Sequence, residues 1–291
     1  MEKKALLVVN PISGGNDKTD MISGVKAFAS ENRIELTIYE TTGKNDGEEI
    51  LELYKKHQPD RVIVAGGDGT IKFVAEALET QNVILGLLPA GSANGLSVDL
   101  NFPPTLDEQI QLAFGDHTME IDMICINGIK SLHLSDIGLN AELIKNYENG
   151  AIRGKLGYAI QAVNTLTSLE TPFRATIQSN QATIETDAKM IVIANSQKYG
   201  TGVTINPLGK MDDGMFEIVI IKNLDLIVFG KIVSGNMPLD SDDVEIVTTD
   251  QATITTDVPV HFQVDGEYCG EETRLDIKIV PREMRLAVPR L

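Results

Sequence analysis

Residues 61–70 read RVIVAGGDGT. A short apolar run, rich in β-branched residues, passes directly into three glycines around one carboxylate, Asp68. Such a run, stopped by Gly-Gly, reads as a buried strand of a parallel sheet that ends in a loop. The same grammar recurs on both sides. Residues 5–9 (ALLVV) lead into NPISGGN at 10–16, and residues 83–88 (VILGLL) lead into PAGSANG at 89–95. Residues 34–39 (IELTIY) alternate as a strand, and residues 21–28, 48–57 and 71–78 read as helices. In the last of these, Ile71, Val74, Ala75 and Leu78 fall on one helical stripe. Strands alternating with helices predict an α/β domain, with a parallel sheet covered by helices on both faces.

In a parallel α/β sheet, ligands bind beyond the carboxyl ends of the strands. Three glycine-rich loops fall at that edge, and each precedes a helix or a helix-like stretch. Glycine lets backbone N–H groups approach an anion, and a helix N-terminus adds positive potential. Together the loops predict a polyphosphate cradle. A carboxylate among phosphates needs a cation between them, and Mg²⁺ suits one or two carboxylates plus phosphate oxygens. Asp68 therefore reads as an anchor for Mg·ATP. The competing reading makes Asp68 or Thr70 the N-cap of a helix beginning near Ile71, and the two are compatible. No GxxxxGK[ST] occurs, and no GxGxxG follows the first strand, so a P-loop NTPase and a Rossmann dinucleotide site are both unsupported.

After about residue 122 the pattern changes. One long helix is predicted over 152–169. Short strands follow at 174–179, 182–185, 190–194, 216–221, 244–248, 252–255 and 260–264, interrupted by a helix over 224–234. Closely spaced short strands predict a β-sandwich or barrel-like domain.

The 291 residues suffice for one large or two ordinary domains. Acidic residues outnumber basic ones 42 to 25, for a net charge of −17. So acidic a surface argues against nucleic acid as a main partner. It also makes any contact with an anionic bilayer brief, apolar, or dependent on a local basic patch such as Lys145, Arg153 and Lys155; the ordinary reading of those cations is a solvated face. The two cysteines, Cys125 and Cys269, lack metal-ligand or redox spacing, which fits a reducing cytoplasm. No apolar run approaches the roughly 20 residues that span a bilayer.

The set VVNPISG, VAGGDGTIKFVAEAL and LGLLPAGSANGL resembles the diacylglycerol kinase catalytic domain family, which includes bacterial lipid kinases and sphingosine kinases. The resemblance continues through EIDMICIN (120–127), RGKLGYAIQAV (153–163), DDGMFEIVII (212–221), VDGE (264–267) and PREMRLAVP (281–289). It implies an N-terminal nucleotide-binding domain over 1–125, rejoined by 281–291, and a C-terminal β-sandwich over 126–280. It implies ATP contacts at Asn10, Pro11, Ile12, Ser13, Gly14, Thr41, Gly66, Gly67, Asp68, Gly69, Thr70, Ile71, Lys72 and Ser92. It also implies a structural Mg²⁺ held by the Asp213 side chain with the carbonyls of Lys210 and Met215, although an Asp-Asp-Gly taken alone is an ordinary turn. Glu267 matches the family's proposed proton acceptor, although VDGEY taken alone is a tight turn with exposed acids.

One position departs from the pattern of most bacterial members. Gly95 stands where they carry an aspartate that joins the GGDGT aspartate and the one matching Asp122 in an acidic, metal-linked network. PAGSANGL is instead similar to the sphingosine and ceramide kinase version, and Asp136 is a candidate replacement acid. That likeness implies a second assignment, in which Asp68 takes the hydroxyl proton and Asp136 orients the lipid; the intact DGE at 265–267 favours Glu267 as the acceptor. The resemblance thus implies an ATP- and Mg²⁺-dependent lipid kinase acting on a hydroxyl of a diacylglycerol-like or sphingoid lipid, in a cleft between domains. It would be cytoplasmic, touching the membrane surface transiently to meet its lipid; monomer and homodimer are both open. An NAD kinase-like phosphotransferase shares the GGDGT logic, but the Asn-Glu pair typical of that family is absent after the fourth strand. A non-catalytic lipid- or nucleotide-binding protein is the third reading, opposed by the presence of Asp68 and Glu267.

Overall fold

The structure, a computed structural model, describes residues 3–139, 141, 172–198, 202–223 and 242–290. The helices expected at 152–169 and 224–234, and the cations Lys145, Arg153 and Lys155, lie outside the described residues. The chain divides into two compact units, Met1–Ile121 with Arg282–Leu291, and Asp122–Pro281.

In the first unit, β1 (Lys3–Val9), β2 (Ile34–Glu40), β3 (Arg61–Gly66) and β4 (Ile84–Pro89) run parallel in the order β2-β1-β3-β4. All of β3 is buried, as are Ala5 to Val9 of β1, which is why both read as unbroken apolar runs. β2 lies at the edge and is only half-buried, which fits its alternation. Helices α1 (Thr19–Glu31), α2 (Asp46–His57), α3 (Asp68–Ala77), α4 (Gly95–Asp99) and α5 (Leu106–Ala113) complete the unit. Leu7, Val9, Ile63, Ala65 and Leu88 of the sheet pack with Val25 of α1 and with Ile110 and Ala113 of α5. Each fully buried Val, Leu or Ile side chain is worth about 1.5–3 kcal/mol. The parallel α/β arrangement is the one the sequence predicts.

The second unit is antiparallel. It comprises the end of β5 (Thr118–Ile126), then β6 (Ile129–Ser131), β7 (Leu134–Gly138), β8 (Phe173–Ser179), β9 (Thr183–Ala188), β10 (Met190–Ala194), β11 (Phe216–Ile221), β12 (Val244–Thr249), β13 (Gln251–Val264) and most of β14 (Glu267–Ala287). The order is β12-β11-β10-β7-β13-β14, with β8 and β9 joined through β13, and β5 and β6 through β14. Both faces are apolar. Ile191, Ile193, Ile218 and Ile220 enter one core, while Val192, Ala194, Val219 and Ile221 enter another. This alternation suits a sheet covered on both sides and gives the expected β-sandwich class.

One expectation is corrected. The strands expected at 252–255 and 260–264 are one strand, β13, with an irregular register between Thr255 and Val260. Pro259 and Asp257 mimic a turn signal there, but the chain bulges and continues. The first half of β13 pairs with β8 and the second with β7. The end of β14 returns to the first unit, where Arg285 and Leu286 pair in parallel with Ile84 and Leu85 of β4. Among the described residues, no helix is long and apolar enough to cross a membrane.

Candidate functional site

The three glycine-rich loops meet at the carboxyl edge of the first unit's sheet. The Asn10 N–H donates to the Ala65 carbonyl at 2.9 Å, and the Ala90 N–H to the Gly66 carbonyl at 2.8 Å. Asn10 Nδ2 donates to Thr70 Oγ1 at 3.0 Å, and Asn10 Oδ1 accepts the Ile12 N–H at 3.2 Å. The loops after β1, β3 and β4 are therefore tied into one body. Glycine is required where they touch. Gly14 has φ of +63°, and a Cβ there would lie 2.5 Å from the Ala90 carbonyl oxygen. A Cβ on Gly91 would lie 2.6 Å from the Gly67 Cα. The sequence reading assigns these glycines to anion approach, whereas the structure gives Gly67 and Gly91 a prior task, letting two backbones pass in contact. The outer rim carries exposed Pro11, Ile12, Gly69 and Ser92, with Ser13 and Lys72 half-buried. Gly66, Thr70 and Ile71 are buried beneath.

Asp68 is the first residue of α3, so that helix starts three residues earlier than the stripe at Ile71 implies. Its carboxylate does not cap its own helix. Oδ2 accepts the Gly95 N–H at 2.6 Å, and Oδ1 accepts the Leu96 N–H at 3.2 Å. Asp68 thus caps α4, whose own N-cap residue, Asn94, is left-handed and makes no side-chain cap bond. A carboxylate at a helix N-terminus is well placed electrostatically.

Lys18 was not singled out by the sequence. It is only 4% exposed, and its Nζ donates to the carbonyls of Ser13 and Asn16 at 2.6 Å each. A fixed positive charge therefore underlies the first loop. The readable signal is a lysine just ahead of a helix, after a glycine-rich turn.

Thr41 follows β2, and its N–H donates to the Val9 carbonyl at 2.9 Å. The next turn is shaped by buried Asp46, which accepts the N–H groups of Thr42 (2.8 Å) and Gly43 (2.7 Å) and the Tyr39 hydroxyl (2.7 Å). Burial works against the Asp46 charge, but these donors outweigh it and hold the carboxyl below the usual range. Burial and the same carboxylate push the Tyr39 phenol up to about 12.

The remaining candidates lie in the second unit. Asp213 is exposed, and its Oδ1 accepts the Met215 N–H at 3.1 Å, an Asx-type turn. Buried Asp122 accepts the Gly214 N–H on Oδ2 at 2.7 Å, and its own N–H donates to the Met211 carbonyl at 2.7 Å. Asp122 therefore fixes the turn that carries Lys210, Asp213 and Met215. Among the described residues, no group of three or more His, Cys, Asp and Glu side chains could hold a metal. In the 210–215 turn one carboxylate, that of Asp213, is exposed, and carboxylate and carbonyl oxygens are the hard donors that Mg²⁺ takes. Neighbouring Glu217 is buried and bound by Asn206 Nδ2 at 2.7 Å. Burial holds its carboxyl above the usual range.

Glu267 is exposed at the first position of β14, paired with Val264 across a two-residue turn. Asp136 is completely buried and accepts from Gln263 Nε2. Its side chain is therefore not exposed, in contrast to that of Glu267.

Residues 4–126 match the diacylglycerol kinase catalytic domain, and residues 136–288 match the YegS C-terminal NAD kinase beta sandwich-like domain. The Synechocystis sp. protein sll0036 is 27% identical over 99% of this chain and 70% of its own length. A Salmonella typhimurium protein named "Probable lipid kinase YegS" is 25% identical over 98% of this chain and 96% of its own. A crystal structure described as a diacylglycerol kinase from Bacillus anthracis str. Sterne superposes with a TM-score of 0.76 at 22% identity, covering 99% of this chain and 97% of that one. This last likeness is one of fold.

Proposed function

The chain belongs to the diacylglycerol kinase catalytic domain family, and on that premise we propose that it is a lipid kinase that transfers the γ-phosphoryl group of ATP, with Mg²⁺, to a hydroxyl of a diacylglycerol-like or sphingoid lipid. The observation that carries this reading is the convergence of three glycine-dependent loops around Asp68 at one sheet edge. The curated Salmonella relative named as a lipid kinase supports the acceptor class.

In this reading the backbone of residues 10–14 and 66–72, with Ser92, holds the triphosphate, and Thr41 holds the nucleoside end. Lys18 adds a fixed positive charge below the first loop. Mg²⁺ bound near Asp68 supplies charge neutralisation on the phosphate oxygens. Glu267 accepts the lipid hydroxyl proton as the alcohol oxygen bonds to the γ-phosphorus. The bond from that phosphorus to the β,γ-bridging oxygen breaks, and ADP leaves. The acceptor is met at a membrane surface from the aqueous side. A second Mg²⁺, held by Asp213 with the carbonyls of Lys210 and Met215, has a structural role.

Glu267→Gln tests the chemistry. A general base contributes about 10²–10⁴-fold, so kcat for lipid phosphorylation should fall by that order with little change in the KM for ATP. A kcat within a few-fold of wild type would remove Glu267 from the mechanism.

A further inference from the structure

Glu267 follows a turn that the structure restrains far more than a hairpin needs. Asp265 and Gly266 have φ of +50° and +88°, the left-handed pair that suits a two-residue hairpin, and Asp-Gly forms such turns from its own sequence. Yet each turn residue is tied to buried polar groups. The Gly266 N–H donates to Gln263 Oε1 at 2.7 Å. Gln263 Nε2 donates to Asp136 Oδ2 at 2.5 Å. The Asp265 carboxylate accepts Ser131 Oγ at 3.0 Å and the N–H groups of Leu132 and His133 at 2.9 Å each. The Asp265 N–H donates to the Leu134 carbonyl at 3.1 Å.

We infer that Gln263, oriented by Asp136, is a positioning residue that fixes the hairpin presenting Glu267 to the reacting hydroxyl. The inference rests on the reading of Glu267 as the base.

Gln263 and Asp136 lie directly opposite each other on antiparallel β13 and β7, so their side chains share one face. They are 1% and 0% exposed. An amide has a donor end and an acceptor end, whereas a carboxylate only accepts. Asp136 therefore selects the amide orientation. Nε2 turns to the carboxylate, and Oε1 turns to the Gly266 N–H. A neutral amide or an apolar residue at 136 would lose that selection. Burying a carboxylate and an amide is unfavourable compared with an apolar pair, so folding alone gives little reason to keep them here. Holding a reactive side chain in place does give one. The side chain of Glu267 stays exposed while the backbone immediately before it is fixed from two sides, by Gln263 and by Asp265.

The test is a double-mutant cycle on the full chain, using the acceptor that turns over fastest in a panel of diacylglycerols and sphingoid bases. Four proteins are compared: wild type, Gln263→Met, Glu267→Gln and the double variant. A displacement of about 1 Å can cost about 10²-fold, so Gln263→Met should lower kcat by roughly 10- to 100-fold, with the KM for ATP unchanged. In the Glu267→Gln background the same change should cost less than about 2-fold, because the group it positions is gone. Asp136→Asn, which keeps the shape but frees the amide to turn over, should lower kcat in the same direction; it carries the cycle if Gln263→Met does not fold. A change in melting temperature without a change in kcat, or losses that simply multiply in the double variant, would overturn the positioning role alone. Near-normal kcat in Glu267→Gln would overturn the base reading and this inference with it.

Discussion

The carboxylate of Asp68 receives the backbone N–H of Gly95 at 2.6 Å and that of Leu96 at 3.2 Å. One side chain thus joins the start of α3 to the start of α4, the helix after β4. The same carboxylate is the one assigned to Mg·ATP. Capping and metal binding need not compete, because an ionised carboxylate has about four lone-pair sites.

The two roles separate by substitution. Asp68→Asn keeps an acceptor for α4 but removes the charge. It should retain most of its stability while kcat falls at least 10²-fold, since charge stabilisation of this kind is worth several kcal/mol. Asp68→Ala should add a loss of about 0.5–2 kcal/mol in stability, as for other cap removals. Thermal unfolding alongside steady-state kinetics checks both. Near-normal kcat in Asp68→Asn would leave only the cap.

Lys18 should matter for the nucleotide more than its position before α1 suggests. Lys18→Met keeps the aliphatic stem and removes the charge and both bonds to the first loop. The KM for ATP should rise about tenfold or more, and the loss should shrink at high salt as screening weakens the wild-type attraction. An unchanged KM in a folded variant would show that the lysine only ties the loop together.

The Asp46 carboxyl titrates lower in the folded chain than in the unfolded one. The unfolded state then binds the proton more readily, so this group stabilises the fold above its unfolded pKa, about 3.9, and loses that contribution as pH falls through its lower folded value. Wild type should exceed Asp46→Asn in melting temperature near neutrality, and the gap should close on acidification below about pH 4. Tyr39 runs the other way. Its pKa is raised to about 12, so its contribution holds below about pH 10 and fades between there and 12. A gap that widens with acid would contradict the Asp46 assignment.

The turn at 210–215 should respond to Mg²⁺ without nucleotide. Wild type should gain melting temperature with added Mg²⁺, as expected when a ligand binds only the folded state, and Asp213→Ala should lose most of that gain. Equal responses in the two proteins would exclude the site.

The parallel unit was legible because its strands are buried on both faces and so announce themselves as apolar runs; β1, β3 and β4 needed nothing more. Other elements carry weaker signals. β14 has 21 residues, largely alternating and half-exposed, with Pro281 within it, so only its two ends, at VDGE and PREMRLAVP, stood out. Helix α5 is short, and its start signal lies in TLDE, where Thr105 Oγ1 accepts the Glu108 N–H at 3.4 Å. In the site, the glycine-rich loops and Asp68 were readable, since their residue types are unusual after strands. Lys18 and Gln263 were not. Each is a common residue whose role comes from partners met only in the fold, 2 to 5 residues away for Lys18 and on the neighbouring strand for Gln263.

The central claim is phosphoryl transfer from ATP to a lipid hydroxyl. The direct measurement supplies purified protein with γ-labelled ATP, Mg²⁺, NAD and a panel of diacylglycerols and sphingoid bases in detergent micelles, followed by separation of lipid from aqueous products. Label should appear in a phosphorylated lipid, and Asp68→Asn should reduce it at least 10²-fold. Label in NADP with none in lipid, or nucleotide binding with no labelled product from any acceptor, would contradict the account.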